Sequence, residues 1–154
     1  MMKNLFFIIA IAALTSCSAQ TSFKTFYTEN SQDADFSLGL NTSMIASFLS
    51  DDDEDVKELV KKSKHTRIMV FSDDWENTNS KFNKFIKHSK FDKLMKIRDD
   101  DDNVSIYILE EKELIKEIVV QISTGDELVL VGLKTNLTHE DLAKIFNDNH
   151  ITLN

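Results

Sequence analysis

The sequence predicts an α+β domain, a largely antiparallel sheet of about five or six strands with helices packed against it. Four β-like runs follow one another at 91–98, 104–110, 114–123 and 127–135, with only short polar breaks between them. Amphipathic helical segments lie before and after this block rather than alternating with it, which separates the chain from a parallel α/β design. A length of 154 residues is one domain's worth of chain, enough to bury a core without staples.

Residues 1–16 are expected to be a leader. Lys3 supplies one positive charge, and Leu5 to Leu14 is an unbroken apolar run. Spanning a bilayer takes about 20 apolar residues, so the run is too short for a transmembrane helix and suits a secretory signal. Leu14-Thr15-Ser16-Cys17 resembles a bacterial lipobox. The resemblance implies cleavage between Ser16 and Cys17, with diacylglycerol on the thiol and further acylation of the new amino terminus. Several acyl chains, each contributing about 0.8 kcal/mol per buried methylene, make such anchoring stable. Cys17 is the one cysteine, so an internal disulfide and a multi-cysteine zinc site are both excluded. Ser18 in place of aspartate favours outer-membrane delivery, and the absence of an acidic cluster after it favours the periplasmic face.

Residues 17–33 read as a lipidated tether, polar apart from Phe23, Phe26 and Tyr27 and without periodicity. The folded domain is then expected over 34–154. Ala34 to Leu40 forms a short strand with Phe36, Leu38 and Leu40 on one face. Asn41, Thr42 or Ser43 caps a short helix carrying Met44, Ile45, Phe48 and Leu49. A second helix opens at Ser50 or Asp51 and runs to about Ser63. Its acids Asp51 to Asp55 sit at the dipole's positive end and its lysines at the other.

Thr66 to Phe71 is a strand. Asp73 and Glu76 form a capping-box-like pair for a helix from Trp75 to Ser89, whose buried side carries Phe82, Phe85 and Ile86. In the strand block, hairpin turns fall at Glu111-Lys112-Glu113 and Ser123-Thr124-Gly125-Asp126. Glu127 to Leu133 is apolar at both parities, which marks a central strand. Thr138 caps a final helix, with Asp141 at its N3 position and Leu142, Ile145 and Phe146 turned inward.

The segments FDKLMKIRDDDDNVSIYI, IKEIVVQI and ELVLVGLKTNLTHEDLAKI together resemble the Bacteroidota envelope family called domain of unknown function 4252. The likeness runs from about Phe36 to Ile145, and departs at Lys134-Thr135-Asn136, where a glycine is usual before the asparagine. It implies a small secreted or lipid-anchored α+β protein and carries no catalytic residues with it.

Composition limits the chemistry. A net charge of −8 excludes nucleic acid as a main partner, which would need clustered cations. His65, His88, His139 and His150 are scattered and form no HExxH or other ligand pair, and no nucleophile elbow, phosphate loop or dinucleotide fingerprint is present. The reading is therefore a non-enzymatic protein without a cofactor, whose partners are the membrane, through the lipid, and an envelope protein. A small-ligand or calcium-binding domain is the alternative. For calcium, Asp99, Asp101, Asn103 and Glu110 fall at positions 1, 3, 5 and 12 of an EF-hand loop, but Val104 replaces the glycine that the sharp turn requires. For an anionic partner, Lys81, Lys84, Lys87, Lys90, Lys93 and Lys96, with Arg98 beyond them, form a basic stretch in an acidic chain. Lysines three apart drift around a helix, so sequence alone does not gather them into one stripe.

Overall fold

The computed structural model describes residues 22–46, 57 and 61–148. Helix α1 (Phe23–Asn30) is followed by strand β1 (Phe36–Asn41), short helix α2 (Thr42–Ala46), strand β2 (His65–Phe71) and helix α3 (Trp75–His88). Strands β3 (Phe91–Asp99), β4 (Asp102–Glu111), β5 (Leu114–Ser123) and β6 (Leu128–Leu137) come next, and helix α4 (His139–Asp148) closes the order. All six strands form one antiparallel sheet in the order β1-β2-β6-β5-β4-β3. The α+β expectation and its strand number hold, and β6 is central as its two-sided apolar pattern requires.

The expected tether needs correcting. Residues 23–30 are α1, and Phe23 and Phe26 are buried in the main core. Three contacts fix the helix to the sheet. The Phe23 N–H donates to Glu117 Oε2 at 2.8 Å, so a buried carboxylate caps the helix start. Gly132 lies directly beneath Phe23: a Cβ there would come within 2.0 Å of the ring. Arg67 stacks over the Tyr27 ring at 5.9 Å. Burial of Glu117 raises its pKa above the usual carboxylate range, partly offset by the Phe23 N–H and by Lys134 and Arg67.

Alternation along each strand divides the sheet into two faces. One face meets α1 and α3 around Met69, Phe71, Phe91, Tyr107, Leu109, Val119, Leu128 and Leu130. Its aromatic side chains interlock: Phe82 of α3 meets Phe26 edge-on at 5.3 Å and Tyr107 edge-on at 6.0 Å. On the opposite face, two rows are apolar from edge to edge. Leu38, Ile68, Val131, Val120, Ile106 and Met95 share one row across the six strands, and Phe36, Val70, Val129, Ile122, Val104 and Ile97 share the next. Leu142 of α4 packs on this side with Ile108, Ile115, Ile118 and Leu137.

The ends of the elements follow local chemistry. At α4, Thr138 Oγ1 accepts from the Asp141 N–H at 3.1 Å while Asp141 Oδ2 accepts from the Thr138 N–H at 3.0 Å, the reciprocal box expected. Lys62 Nζ donates to Asp141 Oδ1 at 2.6 Å, and these bonds hold its pKa down to about 2. At α3 the expectation fails. The cap residue is Asp74, not Asp73, in the left-handed conformation at φ 50, and its side chain makes no capping bond, reaching Asn77 Nδ2 at 2.9 Å instead. Lys112 and Glu113 both have positive φ, as a two-residue hairpin between β4 and β5 demands. The second helix expected from Asp51, with its acidic first turn, lies mostly outside the described residues, as do Phe48 and Leu49.

Candidate functional site

Where α3 meets strands β3, β4 and β5, the helix-bearing face of the sheet changes character. Its inward positions there are Ser105, Gln121, Ser123 and Asn103 instead of aliphatic residues. Together with Asn79 and Asn83 from α3 and Lys93, Lys96 and Arg98 from β3, they line a cleft of about 260 Å³ that has Tyr107 at its floor. Among the described residues no carboxylate lines it.

A β-bulge assembles the cations. Lys93 pairs with Tyr107, but Met95 pairs with Ile106, so Leu94 is the extra residue on β3. Without the bulge, Lys93 and Lys96, three apart, would point to opposite faces. The bulge resets the alternation, and Lys93, Lys96 and Arg98 all face the cleft. Among the described residues none of the three takes part in a salt bridge. Lys93 Nζ lies over the Tyr107 ring at 5.6 Å, and Arg98 Nε donates to Asn103 Oδ1 at 3.0 Å.

A buried hydrogen-bond chain fixes the floor. The Tyr107 hydroxyl donates to Gln121 Oε1 at 2.9 Å, and Gln121 Nε2 donates to Asn79 Oδ1 at 2.6 Å and to Asn83 Oδ1 at 3.4 Å. Burial raises the Tyr107 pKa, with a smaller opposing pull from the Ser105 hydroxyl, so the phenol stays a neutral donor at physiological pH. Because both asparagine oxygens turn to Gln121, the amide N–H groups of Asn79 and Asn83 remain for an incoming acceptor. The cleft is therefore rich in donors, positively charged, and preorganised by buried side chains.

A second cleft of about 460 Å³ continues from it along α3, sharing Asn83, Lys93 and Tyr107 and adding Ile86, Lys87, Ser89 and Phe91. This accounts for the basic stretch residue by residue. Lys93 and Lys96 enter the main cleft, and Lys87 borders the second. Lys81 and Lys84 are exposed on α3 and Lys90 sits in the turn after it, none of them lining either cleft. Three of the six lysines line these clefts and three do not.

The EF-hand spacing is not realised. Asp99 pairs with Asp102 across a tight β3–β4 hairpin, in which Asp100 has φ 46, so Asp99 and Asp101 belong to a turn and not to a 12-residue loop. Glu110 stands eight residues along β4, about 26 Å away at the usual strand rise, and pairs with His139. Asn103 is committed to Arg98. Among the described residues no group of three or more His, Cys, Asp or Glu side chains is placed to hold a metal ion. His88 Nδ1 lies 2.7 Å from the Lys84 carbonyl oxygen. Trp75 packs half-buried against the main core. Ser16, Cys17 and His150 lie outside the described residues.

Asn79, Asn83, Ser105, Gln121 and Ser123 carried no signal as separate residues. One was available in pattern: Ser105, Gln121 and Ser123 interrupt strands that are rich in Val, Ile and Leu.

The fold and the cleft define a six-stranded antiparallel α+β domain with a cationic cleft between a helix and a sheet edge. The chain belongs to the family described as Domain of unknown function (DUF4252), whose model matches residues 26–145. The match takes in most of α1, which supports counting that helix as domain and not as tether. No curated protein and no solved structure matches the chain. Among the described residues no helix is long and apolar enough to cross a membrane.

Proposed function

We propose that this is a non-catalytic, lipid-anchored cell-envelope protein of the bacterial outer membrane, held at the periplasmic face through Cys17, whose domain captures an anionic group on its partner. The observation that carries the binding part is the convergence of Lys93, Lys96 and Arg98 on a cleft that no carboxylate lines among the described residues. A ligand that neutralises unpaired cations gains charge-assisted hydrogen bonds that the free protein lacks. A binding role suits the lining chemically, since among the described residues its titratable groups are cations and a phenol kept protonated. The anchoring part is supported by Leu14-Thr15-Ser16-Cys17 after a short apolar run. Calcium binding is the weaker reading, because the hairpin separates Glu110 from the aspartates.

The reading is tested in cells producing the full chain. Metabolic labelling with a fatty-acid probe should mark the wild type and miss Cys17→Ala, which should also leave the membrane fraction; retained label or retained membrane association removes the anchor. Crosslinking in the same cells should join the wild type to a partner that Lys93→Glu with Lys96→Glu no longer captures. Equal capture by both proteins removes the cleft from the function.

A further inference from the structure

The donor pattern of the cleft says more than its charge. Three cations are sufficient to hold an oxyanion, yet the lining adds the Asn79 and Asn83 amides and the hydroxyls of Ser105 and Ser123. The Asn79 and Asn83 N–H groups donate, and the two serine hydroxyls both donate and accept, so the set matches a ligand whose own groups do both. The carboxylate of an acidic peptide side chain only accepts, and would leave the serine acceptors unused. Sugar hydroxyls satisfy both directions. The size agrees: at about 260 Å³ the cleft falls below the range of about 300–1,000 Å³ that holds drug-sized ligands, and suits one ring. Burial supplies rigidity, since Gln121 and Tyr107 are 6% and 4% exposed and orient the two asparagines from beneath.

We infer that the cleft binds an acidic sugar, a single polyhydroxylated ring carrying a carboxylate or phosphate, with the oxyanion at Lys96 and Arg98 and the ring hydroxyls at Asn79, Asn83, Ser105 and Ser123. This rests on the reading of the cleft as an anion site and narrows it. The adjoining cleft, flanked by Ile86 and Phe91 and bordered by Lys87, gives the next unit of a longer glycan a less polar place to lie.

The test is calorimetry on the purified full chain with glucose 6-phosphate, glucuronate, glucose, inorganic phosphate and polyglutamate. One of the acidic sugars should bind at least about tenfold more tightly than either glucose or inorganic phosphate, and the tighter of the two identifies the acid. Lys96→Gln should weaken that binding about tenfold, whereas Ser123→Ala should weaken the sugar and leave inorganic phosphate unchanged. Amide shifts on the wild type should map the sugar to Asn103, Ser105 and Ser123, a readout that needs no variant to fold. Inorganic phosphate binding as tightly as the acidic sugars would overturn the inference and leave a plain anion site. Tighter binding of polyglutamate would overturn it in favour of an acidic protein partner. No binding by any anion would overturn both this inference and the cleft's part in the proposed function.

Discussion

The two faces of the sheet are built from the same strands and differ only in parity, yet they follow different rules. On the face carrying α4, the two rows that begin at Leu38 and Phe36 are apolar across all six strands. On the face carrying α1 and α3, the row through Met69 and Leu130 continues into Gln121, Ser105 and Lys96. Burying an amide or hydroxyl is unfavourable unless it is hydrogen-bonded, and an aliphatic residue would fill the same place without that requirement. The polar inlay therefore serves something other than packing. The opposite face shows what these strands look like when only packing is asked of them.

The sharpest way to break this comparison is to disturb the core between α3 and the sheet. Phe82 is fully buried against Phe23, Phe26, Phe85 and Tyr107, so Phe82→Ala should cost about 4 kcal/mol in urea unfolding. A loss below about 1 kcal/mol would mean that the helix is not seated as described. Next comes the inlay itself. Gln121→Leu strands the Tyr107 hydroxyl and should cost about 2 kcal/mol, and adding Tyr107→Phe should recover part of that loss, because both partners are then apolar. A strictly additive double variant would show that the chain does not act as a unit. On the other face, Thr138→Ala removes one half of the α4 cap and should cost about 1 kcal/mol. Ile97→Ser, at a site 46% exposed, should stay within about 0.5 kcal/mol.

Two carboxylates sharpen the contrast through pH, with opposite signs. Glu117 has its pKa raised by folding, so its contribution is full below the ordinary value near 4.5 and is lost as pH rises through the folded value. Asp141 has its pKa lowered to about 2, so its contribution is present above 3.8 and is lost as pH falls toward 2. Melting temperatures should therefore show Glu117→Gln removing a decline above pH 4.5, and Asp141→Asn removing a decline between pH 4 and 2. A single variant that altered both limbs would refute the assignment.

Most of the sheet was legible in the sequence because half-buried strands announce themselves by alternation, and the Thr138–Asp141 box because caps are local chemistry. Three features were not. Helix α1 reads as tether in the sequence, since Phe23, Phe26 and Tyr27 are its only large apolar residues and its burial depends on Gly132 and Glu117 about a hundred residues later. The Asp73 cap failed because Asp74 takes the left-handed conformation, which residue type alone does not decide. The cationic cleft was half visible: the lysines were conspicuous, but their common face depends on the extra residue Leu94, and a bulge has no fixed spacing that a period could detect. Its amide floor joins residues from α3 and β5, a juxtaposition that only the fold creates.

The bond from Phe23 to Glu117 has a mechanical meaning. It places the first fixed point of the domain next to Ser22, and Cys17 lies only five residues before that. A fully extended chain covers at most about 18 Å over that stretch. On the proposed lipid anchor at Cys17, that stretch would hold the domain on a short leash. A domain so held would search a thin layer beside the membrane, at a local concentration that the leash itself sets.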